Sequence, residues 1–297
     1  MSTLKEFSRT PLRTIAVHGA SRALLGDLNG VAIRSVNTEN GYRSALRQYH
    51  LWLKMYRLSP KAPQTVGMMS EFLDEYCECH TQASVDHMRL ALQKCYCVQL
   101  GHFESCLAEI NQGRAYYLSE VERILEWQRF RNQLAVLLCI DAGVRAHECV
   151  TLFPRECGEP SSHCNWSPER FSGRKDYEVF LVAGKGGLIR EVAVSAPIAA
   201  AIHRTRRPQP EWVTDRGIHH KSYFDIGGGQ KLSSSFTRAS QKALGWSTGV
   251  HGLRHSFAQE RQRVLTKVLG PDLGLSVLSQ ELGHFRRDVT LIYLRGR

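Results

Sequence analysis

Six side chains in the C-terminal two thirds have the types and order needed to handle a phosphodiester. His251 and Arg254 stand at H-x-x-R spacing within the stretch Val250 to Ala258. On a helix, positions i and i+3 share a face, so an imidazole and a guanidinium converge on one anion. The planar fork of Arg254 can reach two phosphate oxygens at once, and His251 can hold or pass a proton near neutral pH. His284 adds a second imidazole within Leu282-Gly283-His284, and Tyr293 follows nine residues later. A phenol downstream of such a cluster suggests a nucleophile delivered to a phosphate already held. Upstream, Arg145 follows an apolar stretch from Leu134 to Ile140, and Lys185 stands where a strand meets Gly186-Gly187.

The ordered set Arg145, Lys185, His251, Arg254, His284 and Tyr293 resembles that of the tyrosine recombinases, the phage-integrase-like site-specific DNA recombinases. The family's G-x-R-x-x-E turn is similar to Gly143-Val144-Arg145-Ala146-His147-Glu148, and its H-x-L-R-H-x-F-A box to His251 through Ala258. Its L-G-H followed nine residues later by tyrosine is similar to Leu282, Gly283, His284 and Tyr293. The resemblance is specific over residues 118–297 and general before that.

It implies a mostly α fold with a small antiparallel β-sheet (α+β). A helical core-binding domain would occupy residues 1–112, and the catalytic domain residues 113–297. In the implied reaction Tyr293 attacks phosphorus and displaces the 5′ oxygen, leaving a 3′-phosphotyrosyl bond without ATP. Arg145 and Arg254 would neutralise the non-bridging oxygens. Lys185 would protonate the leaving oxygen, and His251 would serve as base or proton relay for Tyr293. His284 would donate a hydrogen bond to the phosphate, and Glu148 would orient Arg145 or His251 from behind. No cofactor and no metal are implied. The implied partners are duplex DNA with a specific core site, a homotetramer assembled on it through a Holliday junction, and accessory DNA-bending proteins. The implied setting is cytoplasmic and nucleoid-associated, in the service of a mobile genetic element. Two other readings share these residues: a type IB topoisomerase-like relaxer, and a catalytically silent DNA-binding regulator. Two departures from the family pattern stand out. Thirty positions separate Arg254 from His284, and the sequence ends four residues after Tyr293, so exchange between protomers is expected to use a shorter segment or other surfaces.

The elements that must position these groups are legible in outline. A 297-residue chain suits two domains. Its formal charge of +11 favours a polyanionic partner. The charge is uneven: residues 113–297 hold 27 Lys/Arg against 18 Asp/Glu, and residues 1–112 hold 12 against 10. No run of 18 apolar residues is present, so no membrane partner or transmembrane helix is expected. Nine cysteines without a framework spacing suit reduced thiols. The C-x-C pairs Cys77/Cys79 and Cys95/Cys97 project apart on helices, and Cys157, His163 and Cys164 lack an evident fourth ligand, so no metal site is expected.

In the N-terminal third, Tyr42, Leu46, Tyr49 and Leu53 mark a helix capped by Asn37 or Thr38 and ended by Ser59-Pro60. Arg43, Arg47, Lys54 and Arg57 fall mostly off its apolar face and are candidate DNA contacts. Further helices are expected from Thr65 to Cys79 and from Ser84 to about Leu100. Residues 111–117 form the candidate linker, after which Ser119 with Glu122 reads as a capped helix start. Residues 153–176 are a polar Pro/Gly/Ser-rich insertion. Tyr177 to Ala183 and Leu188 to Val194 alternate as a hairpin. Helices follow over Pro197 to Thr205 and Leu232 to Leu244, the latter exposing the candidate DNA contacts Arg238 and Lys242. Gly227-Gly228-Gly229 is a turn, Thr248 caps the helix bearing His251 and Arg254, and Leu275 to Leu282 delivers His284.

Overall fold

A computed structural model describes residues 15–18, 32–107, 113–184 and 187–296 of the chain. Two units separate within it, residues 1–110 and 111–297. The boundary expected at residue 112, Lys185 and Gly186 lie outside the described residues.

The first unit is built on α1 (Val36–Met55), α2 (Val66–Cys79) and α3 (Gln82–Tyr96). The stripe Tyr42, Leu46, Tyr49 and Leu53 is buried against Met69, Phe72 and Leu73 of α2 and Met88, Ala91 and Leu92 of α3. Each fully buried leucine contributes about 1.5–3 kcal/mol, so this stripe anchors the unit. Thr65 caps α2, accepting from the Met68 N–H at 3.2 Å. Two expected boundaries move. The cap of α1 is Ser35 rather than Asn37 or Thr38, with Glu39 N–H donating to the Ser35 carbonyl. Helix α3 ends at Cys97, which turns into the left-handed region (φ 52), several residues before Gly101.

The second unit surrounds α5 (Phe130–Ala142), whose Leu134, Ala135, Leu138 and Cys139 are buried, as its apolar perimeter requires. Ahead of it, α4 (Leu118–Leu125) is not capped by Ser119. Instead Glu120 reaches back to accept from the Tyr117 N–H at 2.8 Å. One antiparallel sheet has the order β1 (Leu152–Pro154), β2 (Tyr177–Ala183), β3 (Ile189–Ser195). Its hairpin register pairs Tyr177 with Ser195 and Ala183 with Ile189. After α6 (Ala196–His203) comes a second sheet absent from the sequence reading: β4 (Arg206–Asp215) pairs antiparallel with β5 (Ile218–Phe224). Pro208 and Pro210 hide β4, since proline is depleted in strands; an irregular register between Arg206 and Glu211 accommodates them.

Helices α7 (Gly229–Leu244), α8 (His251–Leu269), α9 (Pro271–Glu281) and the short α10 (Arg287–Leu291) complete the unit, ending in a 3-10 turn, Ile292–Leu294. Thr248 does not cap α8: its hydroxyl donates to the Arg114 carbonyl at 2.8 Å, and its N–H donates to the Tyr116 hydroxyl at 2.7 Å. The thirty positions between Arg254 and His284 are consumed by two packed helices. Helix α8 ends at Gly270 (φ 81), and α9 returns along it, locked by a buried Arg261–Glu281 ion pair with both bonds at 2.8 Å. The insertion 155–176 lies over this corner. Its Phe171 N–H donates to Glu281 at 2.9 Å, its Ser167 N–H to Gln280 at 2.7 Å, and Trp166 meets the Phe285 ring edge-on. Among the described residues no helix is long and apolar enough to cross a membrane.

Candidate active site

Five of the six expected groups converge; the sixth, Lys185, lies outside the described residues. The convergence starts at the end of α5, where Gly143 takes a left-handed φ of 61. A side chain there would stand 2.3 Å from the Phe257 ring, so only glycine lets the chain turn this close to α8. The turn presents Arg145, whose Nη1 donates to Glu148 Oε1 at 2.7 Å and whose backbone N–H donates to Glu148 Oε2 at 2.7 Å. Glu148 is fully buried. Among the described residues its carboxylate bonds Arg145 and makes no hydrogen bond to His251.

The first turns of α8 supply His251, Arg254 and His255. Arg254 is 1% exposed. Its Nη1 donates to the Gly143 carbonyl and its Nη2 to the Leu282 carbonyl, and it lies 3.9 Å from Glu148 Oε2. It ties the Arg145 turn to the turn that carries His284. His284 Nε2 is 3.3 Å from Arg254 Nη2, and its Nδ1 is 3.5 Å from Thr290 Oγ1. Tyr293 is buried in the last 3-10 turn, with Oη 3.1 Å from His251 Nε2. Its ring is packed beside His255 (4.5 Å between centroids) and His284 (5.0 Å). Gln259 donates to the Tyr293 and Arg295 carbonyls at 3.3 and 2.9 Å, which fixes this segment to α8.

Two neighbours escaped the sequence reading. His255 was visible in the box but had no assigned role. Arg190 on β3 is 1% exposed and donates from Nη2 to Glu148 Oε2 at 2.7 Å. Its signal was present: in Ile189 to Ser195 it falls on the same face as Val192 and Val194, where a charged residue needs a partner.

Charge is dense here. Burial would raise the Glu148 carboxyl, but Arg190, Arg145 and Arg254 hold it well below the usual carboxylate range. Burial, then Arg145, lowers the Arg254 guanidinium to about 9, still charged at neutral pH. Burial followed by Arg254 pushes His251 and His284 down to about 3, and burial with Arg114 pushes His255 to about 4. All three imidazoles are neutral at pH 7. Neutral, they do not add to the charge of the buried arginines; an anion brought near would offset Arg254 and raise His251 toward the range of a working base.

Linkage gives these shifts a consequence for stability. Each imidazole has a folded pKa below its ordinary 6.5, so the unfolded chain binds more protons between the two values. Their contribution to stability is complete above pH 6.5 and is lost progressively as pH falls toward 3. The depressed Glu148 carboxyl adds a further loss only below its ordinary 4.5. A denaturant midpoint lower at pH 5 than at pH 7 is expected; equal midpoints would contradict the neutral-imidazole site.

The candidate DNA contacts have different settings. On α1, Arg47 and Lys54 are exposed, whereas Arg43 is engaged by Glu39 and by Asn40 (3.1 Å). Arg57 lies beyond the helix end with φ 57. On α7, Arg238 is exposed and Lys242 sits 3.7 Å from the centre of the Trp127 ring. The exposed run after α6 is partly committed: Arg207 pairs with Asp225 at 2.7 Å and Arg206 with Glu156 at 3.2 Å. Among the described residues no group of three or more His, Cys, Asp or Glu side chains gathers as a metal ion would need.

Neither family models nor curated protein sequences give a match to the chain. Solved structures do. The chain is similar to the XerH site-specific recombinase bound to palindromic difH substrate in a post-cleavage complex, with TM-score 0.56 and 18% identity, covering 98% of this chain and 90% of that one. It is similar to a lambda integrase tetramer bound to a Holliday junction (TM-score 0.53, 15% identity, 93% and 76% covered). A lambda integrase dimer bound to a COC′ core site gives TM-score 0.52 and 16% identity, with 96% and 76% covered. At these identities the likeness is one of fold.

Proposed function

We propose that this chain, which shares the fold of the tyrosine recombinases, is itself one: a site-specific DNA recombinase that cuts and rejoins strands through a covalent tyrosine intermediate. The observation that carries the reading is the meeting of Tyr293 Oη with His251 Nε2 at 3.1 Å beside the Arg145–Glu148–Arg254 cluster.

The step follows from the groups. Arg145 and Arg254 hold the non-bridging oxygens of a phosphodiester. Tyr293 Oη bonds to phosphorus as its proton passes to His251 Nε2. The bond from phosphorus to the 5′ oxygen breaks, and Lys185 gives that oxygen a proton. The reverse attack by a 5′ hydroxyl of another strand releases Tyr293 and returns both protons. Bond energy is kept in the phosphotyrosyl linkage, so no nucleotide is consumed. His284 lies against Arg254, whose Nη2 is 3.3 Å from His284 Nε2; to donate to the phosphate the ring exchanges this contact for one to a non-bridging oxygen.

The recombinase reading extends to a homotetramer on duplex DNA with a defined core site, aided by DNA-bending proteins. It also extends to service for a mobile element in a cytoplasmic, nucleoid-associated setting. The first unit serves as the core-binding domain through Arg47, Lys54 and their neighbours. The experiment that tests the reading recovers DNA covalently attached to the protein in cells that make it. Discrete attachment sites are expected; absence of covalently held DNA overturns it.

Arg254→Ala is expected to slow strand cleavage by about 10²- to 10³-fold, because charge building on the non-bridging oxygens goes uncompensated. Single-turnover cleavage of a nicked duplex checks this, and a rate within about threefold of wild type would remove Arg254 from the phosphate site.

A further inference from the structure

Arg190 has an unusual position for a charged residue on a sheet. It is 1% exposed, and among the described residues only Nη2 of its three guanidinium nitrogens has a partner, Glu148. Nε and Nη1 are buried and unsatisfied. Its stem also packs against the turn carrying His284. A side chain on Gly283 would lie 2.9 Å from Arg190 Cδ. One residue thus touches both turns that carry phosphate-binding groups.

A structural ion pair would need one arginine for one carboxylate. Here three guanidiniums, Arg145, Arg190 and Arg254, surround the single carboxylate of Glu148. The neighbouring imidazoles are neutral and add no further positive charge. The guanidiniums outnumber the carboxylate by two, and with Arg190 and Arg254 each 1% exposed this is a costly arrangement unless an anion completes it. A phosphodiester brings one negative charge. Its five-coordinate transition state brings nearly two on the non-bridging oxygens. The surplus matches the transition state better than the bound substrate, and that difference is what accelerates a step.

Resting on the recombinase reading, we propose that Arg190 is a positioning residue that acts through Glu148. By occupying Glu148 Oε2 it leaves Arg145 and Arg254 under-neutralised, so the cluster is charged for a dianionic transition state rather than for a monoanionic substrate. Without Arg190, Glu148 offsets half the charge of the two remaining arginines.

The test measures single-turnover cleavage of a nicked duplex and duplex affinity separately. Arg190→Met is expected to slow cleavage by about tenfold or more. The Kd is expected to change by less than about threefold, because the proposal gives Arg190 no contact with the DNA backbone. The double variant Arg190→Met with Glu148→Gln restores the surplus of two charges and is expected to cleave faster than Arg190→Met alone. A merely structural role predicts the opposite, since the carboxylate charge beside the two remaining arginines is then lost as well. An Arg190→Met rate equal to wild type, or a double variant slower than the single, overturns the proposal. Where Arg190→Met does not fold, Arg190→Lys decides: it keeps the charge and is expected within about tenfold of wild type. A folded Arg190→Lys that binds duplex without cleaving it overturns the proposal. A wild type that forms no adduct overturns the recombinase reading and this inference with it; a cleaving wild type matched by Arg190→Met overturns this inference alone.

Discussion

Glu148→Ala is expected to destabilise the second unit by about 3–5 kcal/mol, the range for breaking a buried charge pair by removing one partner. The size follows from what is left behind. Arg190 and Arg254 are each 1% exposed and cannot reach water. Arg190 bonds Glu148, Arg254 lies 3.9 Å from it, and the Arg145 turn is held to it by its backbone N–H at 2.7 Å. Removing the carboxylate leaves like charges facing one another in a low-dielectric interior. Because two-state domains have only about 5–15 kcal/mol of stability, such a loss approaches unfolding. Denaturant melts of the full chain check it. Glu148→Gln retains an acceptor for Arg145 and should lose less. A Glu148→Ala loss below about 1 kcal/mol would show that solvent already screens the arginines.

The parts of the site that were legible in the sequence are those fixed by local spacing. His251 and Arg254 share a helix face because they are three residues apart, and that spacing holds wherever α8 sits. The hairpin that flanks Lys185 was legible because two alternating strands bracket a glycine pair. Helix ends were less legible. Asn37, Thr38, Ser119 and Thr248 all have capping side chains, yet the helices are closed by Ser35, by Glu120 reaching back, and by no side chain at α8. The cap is chosen by which residue is free of tertiary contacts, and Thr248 is committed to Arg114. Strand β4 was hidden by its two prolines. The role of Arg190 was hidden for a different reason: its partner Glu148 is 42 residues away, and no local pattern records that pairing. What the sequence lacked was the long-range geometry that turns separate charged residues into one cluster.

Tyr293→Phe is expected to abolish the covalent protein–DNA adduct while leaving duplex affinity nearly unchanged. The substitution keeps the ring, and with it the packing against His255 and His284. It removes one oxygen, whose only partner among the described residues is His251 Nε2 at 3.1 Å. The fold therefore loses a single partly exposed hydrogen bond, worth about 0.5–1.5 kcal/mol, whereas the reaction loses its nucleophile. Among the described residues, Thr290 Oγ1 is committed to the Arg286 carbonyl at 3.0 Å and Ser256 Oγ to the Tyr116 carbonyl at 2.8 Å. The most direct measurement incubates wild type and Tyr293→Phe with a nicked duplex carrying the attachment site, then separates covalent adducts on a denaturing gel. An adduct with wild type, mapped by mass spectrometry to the peptide containing Tyr293 and absent from Tyr293→Phe, is the predicted result; an adduct that persists in Tyr293→Phe would contradict the account.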